Sequence, residues 1–174
     1  MEKKILALLL SLIFALGIIA CSSENKVTLK DTSKVLAAVN GKNITQQQID
    51  MTRIGSTFSE KEAIEKAIDE ELLLEKAKEL KINVSDKEAK AESKKQREIY
   101  EDTPKNTANK DEVKTTLNNL IEKLGLTQEE YLNSYAVQGY KNALIIGKTK
   151  EKLGSETEKT LKDLRIKAKI NYYN

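Results

Sequence analysis

A glycine and lysine pair follows a short apolar run near the start of the predicted folded region, as it does in phosphate-binding loops. The stretch is Asn40-Gly41-Lys42-Asn43. A loop of the form GxxxxGK[ST] also needs glycine at position 36 and serine or threonine at position 43, where this chain has Leu36 and Asn43. The pair therefore predicts a tight hairpin turn, because asparagine and glycine adopt positive φ at the least steric cost.

Other residues that support catalysis in proteins are sparse. Asp69-Glu70-Glu71 offers neighbouring carboxylates for acid–base chemistry, but it lies on a predicted long charged helix, where a solvated face is the default. The chain has no histidine, the commonest general base and metal ligand. No serine lies in a nucleophile-elbow sequence. We therefore predict no catalytic residue, no metal site and no cofactor, which weighs against an enzyme and makes that class the least favoured.

The N-terminus has the pattern of a secretory signal. MEKK is followed by an apolar stretch over residues 5–20, shorter than the ~20 residues of a membrane-spanning helix. Ala20 then precedes Cys21, the only cysteine, and a polar segment follows. This arrangement resembles a bacterial lipoprotein signal, which implies cleavage before Cys21 and acylation of that residue. We expect residues 1–20 to be the signal peptide, 21–34 a flexible tether and 35–174 the folded domain, held by lipid at the outer face of a membrane.

Charge limits the classes of partner. The chain has 30 basic and 27 acidic residues, a net charge of +3. This balance predicts neither the basic footprint of a nucleic-acid-binding protein nor a polybasic patch. We expect no nucleic-acid partner.

Capping sequences predict a mainly helical domain. In a capping box, a serine or threonine and a glutamate or glutamine three residues later each satisfy a free backbone N–H at a helix start. The predicted helices cover residues 46–57, 60–80, 86–100, 113–124 and 128–153, with a short last helix after Gly154. The capping pairs are Thr45/Gln48, Ser59/Glu62, Ser85/Glu88, Thr127/Glu130 and Ser155/Glu158.

Two of these helices have contrasting patterns. The second places Leu72-Leu73-Leu74 about 100° apart around its axis, so neighbours must cover it on more than one side. The third is charged nearly all round and is predicted to project into solvent. Residues 101–110, which hold the only proline, are predicted to be a mobile loop.

Two segments at opposite ends of the domain have strand patterns. The apolar run Val35–Val39 is followed by the asparagine–glycine turn, and apolar and polar residues alternate over 168–173. A terminal strand needs a partner. We therefore expect the two ends of the domain to meet in a small sheet.

Tyrosines are the candidate residues for peptide binding. An aromatic ring with a polar tip binds extended chains by apolar contact and hydrogen bonds together. The alternative for any one tyrosine is core packing, which is the favoured interpretation. The candidates are Tyr100, Tyr131, Tyr135 and Tyr140.

The order of these parts is similar to that of a known family. VLAAVNGKNITQQQID, AIEKAIDEELLLEKAKELKINVSDKEAKAE and LGLTQEEYLNSYAVQGYKNALI together resemble the N-terminal domain of the SurA/PrsA-type extracytoplasmic chaperones and foldases, within the parvulin-type peptidyl-prolyl isomerase family. The resemblance covers Val35 to about Leu153. It implies a mainly α, multi-helix chaperone lobe whose first strand pairs with the far end of the chain, and LKDLRIKAKINYY is similar to the family's closing helix and strand.

The chain departs from that family at one place. Isomerase members carry a parvulin domain between the long helix and the closing segment, where this chain has only Gly154, and a parvulin site uses histidines, which this chain lacks. We therefore predict no prolyl isomerase activity. The expected function is a membrane-anchored chaperone that holds unfolded secreted polypeptides without ATP. The alternative is an envelope scaffold lipoprotein that binds one dedicated partner.

Overall fold

The computed structural model describes residues 34–53, 56–102, 115, 118, 119, 121, 122 and 124–173. These residues form a mainly helical protein with one small three-stranded antiparallel sheet. The predicted signal peptide, Cys21, the tether up to residue 33, the loop over 103–110 and most of the predicted fourth helix lie outside the described residues. Within the described part, no helix is long and apolar enough to cross a membrane.

The sheet joins the two ends of the domain, as predicted. Strand β1 (Val35–Val39) is the central strand, β2 (Lys42–Thr45) lies on one side and β3 (Ile170–Tyr172) on the other. Ala38 of β1 pairs with Asn171 of β3 in antiparallel register. The turn after β1 was predicted from the sequence, whereas the strand that follows the turn was not. Asn40 and Gly41 have φ of +50° and +84°, so the chain folds back and β2 pairs with β1.

Six helices and two irregular turns can be given bounds in the described residues. Helix α1 ends at Arg53, four residues before the predicted end. A π-helical turn, Tyr131–Tyr135, joins α4 to α5, and a 3₁₀ turn, Gly154–Glu156, joins α5 to α6. The helices are α1 (Gln46–Arg53), α2 (Glu60–Glu79), α3 (Asp86–Asp102), α4 (Gln128–Glu130), α5 (Ala136–Leu153) and α6 (Thr157–Lys167).

Four of the five predicted capping boxes are present. At the start of α2, for example, Ser59 Oγ accepts from Glu62 N while the Glu62 carboxylate accepts from Ser59 N. The remaining prediction, Ser155/Glu158, was wrong. Gly154 ends α5 with φ of +55° and the chain tightens into the 3₁₀ turn, so α6 begins one residue later than a cap at Ser155 requires.

Helix α2 is the structural centre, and its leucines are covered on two sides as predicted. Leu72 packs in the cluster beneath the sheet, which includes Leu36 and Ile44. Leu73 and Leu74 pack in a second cluster with Ile146 of α5 and Leu161 of α6. The helix therefore joins the sheet to the two C-terminal helices.

Helix α3 packs along α5, so the prediction that it projects into solvent was wrong. Ala89 of α3 is fully buried in a cluster with Val84 and Val137. The ion pairs Asp86–Lys141 (2.6 Å) and Glu88–Lys148 (2.8 Å) hold the rim of this contact. Small side chains such as Ala89 allow two helices to approach closely, and they give only a weak hydrophobic signal in a charged sequence.

Candidate functional site

Two of the four candidate tyrosines are core residues in this structure. Tyr131 and Tyr135 are 3% and 8% exposed, and their rings stack with centroids 5.6 Å apart. Tyr135 Oη donates to Met51 Sδ at 3.2 Å, which ties the π-helical turn to α1. Burial raises the pKa of Tyr131 far above its usual range. This placement agrees with the core-packing interpretation that the sequence analysis favoured for any one tyrosine.

The other two candidates do not complete a tyrosine-lined surface. Tyr140 is half-buried on α5, and burial, together with the nearby carboxylate of Glu92, raises its pKa to about 12. Tyr100 lies in α3, and its side chain is outside the described part of the structure. The structure therefore brings Tyr131 and Tyr135 together, but as packing residues, and a peptide-binding role for any of the four stays a prediction.

A groove between α2 and β3 contains an exposed apolar side chain. Ile64, on the second turn of α2, and Tyr172, on β3, line a groove of about 490 Å³ whose other lining residues are Glu60, Lys61 and Glu65. Tyr172 is 56% exposed, among the most exposed large apolar side chains of the described residues. The groove thus has two apolar side chains and three charged ones.

Hydrogen bonds fix the tyrosine wall of the groove. Tyr172 Oη donates to Glu65 Oε1 at 2.9 Å, and Arg165 Nη1 donates to the other oxygen of the same carboxylate at 2.7 Å. Arg165 Nη2 also donates to the main-chain oxygen of Glu65 at 3.0 Å. Burial and the carboxylate of Glu65 both raise the pKa of Tyr172. The ring is therefore held in place by α2 and α6 together.

Beside this groove lies a free strand edge. Strand β3 is the last strand of the sheet, with β1 on one side and no strand on the other among the described residues. Tyr173 N donates to Leu36 O at 2.8 Å, and Asn40 N donates to Lys169 O at 2.9 Å. Backbone groups alternate in direction along an antiparallel strand. The N–H and C=O groups of Ile170 and Tyr172 therefore point away from β1, where an extended polypeptide can bind them.

The Gly-Lys motif has a structural role. Lys42 Nζ lies 2.6 Å from Glu71 Oε2, so the lysine pairs with a carboxylate of α2. Asn40, at the end of β1, makes hydrogen bonds to the residue before β3 and to α2. Its N and Oδ1 bond to the main chain of Lys169, both at 2.9 Å, while its Nδ2 donates to Glu75 at 2.6 Å. These contacts fasten the hairpin to β3 and to α2.

The three neighbouring carboxylates on α2 are likewise paired with basic side chains. Asp69 pairs with Arg165, Glu70 with Lys66, and Glu71 with Lys42. Burial raises the pKa of both Glu70 and Glu71, and their lysine partners oppose this shift. Among the residues that the structure describes, no three of the usual metal-ligating side chains come together in a metal-binding arrangement.

No protein-family model, curated protein or solved structure matches the chain. The site is therefore interpreted from its own geometry. Ile64 falls in the predicted helix 60–80 and Tyr172 in the predicted terminal strand, but the sequence did not join them into a site. The available signal was the alternating pattern of the closing segment, which identifies Tyr172 as a strand residue but not the helix that it faces.

Proposed function

We propose that this chain is a lipid-anchored extracytoplasmic chaperone that transiently holds unfolded segments of secreted proteins without ATP. The observation that carries the proposal is the pair of apolar side chains, Ile64 and Tyr172, in a groove beside the edge of β3 that no described strand covers. An unfolded chain has unpaired backbone groups and exposed apolar side chains, and this surface complements both. Within this proposal, Cys21 is the lipidated residue and the chain from Ser22 onward is extracytoplasmic.

Binding occurs by strand addition in this scheme. The main chain of an extended client pairs with the outward N–H and C=O groups of β3, and its apolar side chains contact Ile64 and Tyr172. Main-chain pairing is independent of sequence, so many clients can bind. A three-residue edge strand and a small groove bury much less than the 1,200 Å² or so of a stable interface, so release needs no energy source.

The architecture supports a SurA N-terminal-like assignment within the same proposal. In the SurA/PrsA-type family the first strand is expected to pair with the end of the chain, and β1 pairs with β3 in this way. The 3₁₀ turn Gly154–Glu156 stands where isomerase members of the family carry a parvulin domain. We infer a chaperone lobe without prolyl isomerase activity. Catalysis of a proline-limited refolding reaction by this chain would contradict that inference.

Suppression of aggregation tests the proposal. Residues 22–174, checked for helical circular dichroism, are mixed in several-fold excess with an unfolded client, and light scattering is followed. We expect suppression by the native sequence and by Tyr172→Phe, which keeps the apolar ring. Tyr172→Asp should lose most of it, because a charge replaces the apolar wall. Ile166→Asp places the same charge at another exposed apolar position, outside the groove lining, and should behave like the native sequence.

Two outcomes contradict the proposal. If the native sequence has no effect on aggregation at several-fold excess, the chaperone assignment is wrong. If instead the chain forms a saturable complex with one folded envelope protein and shows no preference for unfolded chains, the scaffold alternative is supported.

A further inference from the structure

The described chain enters the sheet beside the end of the edge strand β3. Tyr173 N donates to Leu36 O at 2.8 Å, so Lys34, two residues before Leu36, lies near the end of β3 that carries Tyr172. The lining residues of the groove come from α2 and from Tyr172 of β3. A chain that folds back from Lys34 along the outer edge of β3 therefore meets the groove.

The segment that precedes Lys34 contains a short strand pattern. Residues 22–33 have two apolar side chains, Val27 and Leu29, which alternate with the polar Thr28. Valine and threonine favour strands. The polar run Asp31-Thr32-Ser33 follows, and aspartate and serine favour turns. A strand of this length is stable only when it pairs with an existing edge.

The connector is long enough to reach the outer edge of β3. This edge lies two strand spacings, about 10 Å, from β1. The four Cα–Cα steps from Lys30 to Lys34 span up to about 14 Å when extended. Because β1 and β3 are antiparallel, a segment that folds back in this way runs parallel to β3.

The apolar side chains fit the groove in one register, in which Leu29 lies beside Tyr172. Val27 then lies beside Ile170, two residues earlier on β3. Ile170 packs against the core beneath the sheet and Tyr172 lines the groove, and alternate residues of a strand share a face. Both tether side chains therefore face α2 in this register, and Leu29 can contact Ile64.

The backbone groups fit in the same register. The N–H and C=O groups of Ile170 and Tyr172 point away from β1, as the alternation in an antiparallel strand requires. Thr28, beside Asn171, can donate its N–H to Ile170 O and accept from Tyr172 N. The polar side chains of Thr28 and Asn171 then share the face opposite the groove.

We propose that residues 26–30 of the tether bind the outer edge of β3 as a parallel strand, with Leu29 in the groove, and compete there with clients. The competition rests on the proposed function, which places the clients at this site. A short tether holds its segment at an effective concentration on the order of 1 mM, so we expect even weak pairing to cover the edge about two thirds of the time. Between clients, the tether thus shields an edge that could otherwise pair with another chain.

Hydrogen–deuterium exchange of the full chain in phospholipid nanodiscs tests the docking. Exchange is read at single residues by mass spectrometry. We expect the Tyr172 amide to exchange about threefold more slowly in the native chain than in V27D/L29D, the ratio for an edge that is open one third of the time. The matched control S22D/S23D adds the same two charges outside the docking segment and should exchange like the native chain.

A pair of proline variants tests the backbone pairing without a change of charge. Thr28→Pro removes the N–H that faces β3, so it should release the Tyr172 amide as V27D/L29D does. Asn25→Pro lies outside the docking segment and should behave like the native chain. The Asn171 amide points to β1 and should exchange equally in all variants. Each variant is checked for helical circular dichroism, and the proline pair decides the outcome if V27D/L29D is misfolded.

Aggregation of reduced lysozyme, followed by light scattering with the same nanodiscs, tests the competition. The apparent affinity of a site falls in proportion to the fraction of molecules in which it is open. The variant V27D/L29D should therefore reach half-suppression at about one third of the concentration that the native chain needs. S22D/S23D should match the native chain.

Three results would overturn the proposal. Equal exchange of the Tyr172 amide in the native chain and in V27D/L29D means that the tether does not dock. Protection of this amide that grows with chain concentration means that the tether of a second copy occupies the edge. Docking without a change in half-suppression means that clients bind elsewhere.

Failure of the proposed function gives a different result. If neither the native chain nor V27D/L29D suppresses aggregation while the Tyr172 amide is protected, the chaperone assignment is wrong and the competition falls with it, but the docking stands. If both suppress aggregation equally and the amide is unprotected, the chaperone assignment stands and the docking is wrong.

Discussion

Arg165 and Asp69, 96 positions apart in the chain, are joined by a hydrogen bond of 2.6 Å from Nε to Oδ1. The same guanidinium also donates to the carboxylate and to the main-chain oxygen of Glu65, one turn earlier on α2. A planar guanidinium can satisfy several acceptors at once in a fixed geometry. This contact holds the C-terminal helix α6 on α2 and supports the carboxylate that positions Tyr172.

Replacing this arginine should loosen the closing segment. We expect Arg165→Ala to lower the free energy of unfolding by about 1–3 kcal/mol, because three charge-assisted hydrogen bonds are lost and two carboxylates lose their cation. Lys162→Ala, on the exposed face of the same helix, should change it by less than about 0.5 kcal/mol. Chemical denaturation followed by circular dichroism measures both. Equal effects of the two substitutions would show that the contact does not hold α6 in place.

The turn residue Asn40 should contribute in two separable ways. It adopts φ of +50°, and its side chain bonds to Lys169 and Glu75. Asn40→Ala loses the bonds and adds left-handed strain, so we expect a destabilisation of about 1–2 kcal/mol. Asn40→Gly loses the bonds but accepts the conformation, so it should cost about half as much. Denaturant titration compares the two variants, and a larger loss for glycine than for alanine would contradict this explanation.

Glu71 should make stability depend on pH in the direction opposite to a surface ion pair. Burial raises its pKa in the folded state above the ordinary value of 4.5. The folded state therefore binds a proton more tightly than the unfolded state does. The contribution of this group to the free energy of unfolding should grow as pH falls through the raised pKa, and be complete below about 4.5.

The variant Glu71→Gln isolates this effect because glutamine does not titrate. We expect the native chain to gain stability relative to Glu71→Gln between neutral pH and pH 4.5. Glu79→Gln, at an exposed position of the same helix, is the control and should follow the native curve. Denaturant titrations at a series of pH values measure the difference. A native chain that loses stability relative to Glu71→Gln over this range would contradict the raised pKa.

Tyr131 offers a test of packing against binding. Its side chain is 3% exposed and stacked on Tyr135, so Tyr131→Ala should lower the free energy of unfolding by about 3–5 kcal/mol. Tyr173→Ala, at a 48% exposed position, should have little effect on stability. Thermal denaturation and aggregation suppression are measured together. A Tyr131→Ala variant with native stability but no suppression would support a peptide-binding role for this tyrosine.

The parts of the fold that sequence analysis predicted well are those with local causes. A capping box is complete within four residues, so Ser59 and Glu62 identify the start of α2 without knowledge of its neighbours. The turn at Asn40 and Gly41 follows from two residues that tolerate positive φ. The pairing of β1 with β3 was also predicted, because a terminal strand pattern had one partner of matching type.

The parts that were missed depend on contacts between distant residues. Strand β2 was not assigned because its four residues have a weak pattern, and pairing with β1 decides their conformation. The third helix was expected in solvent because a buried alanine looks the same in sequence as an exposed one. Whether a tyrosine faces the core or the solvent depends on which helix packs against it, so Tyr131 could not be placed by periodicity.

The candidate site shows the same division. The sequence by itself determined a helix at Ile64 and a strand at Tyr172, since hydrogen bonding and side-chain period act over a few residues. Only the tertiary structure decided that they line one groove and that Glu65 and Arg165 hold the Tyr172 ring in place. Local geometry sets the conformation of each element, whereas burial of apolar surface between elements selects which of their faces meet.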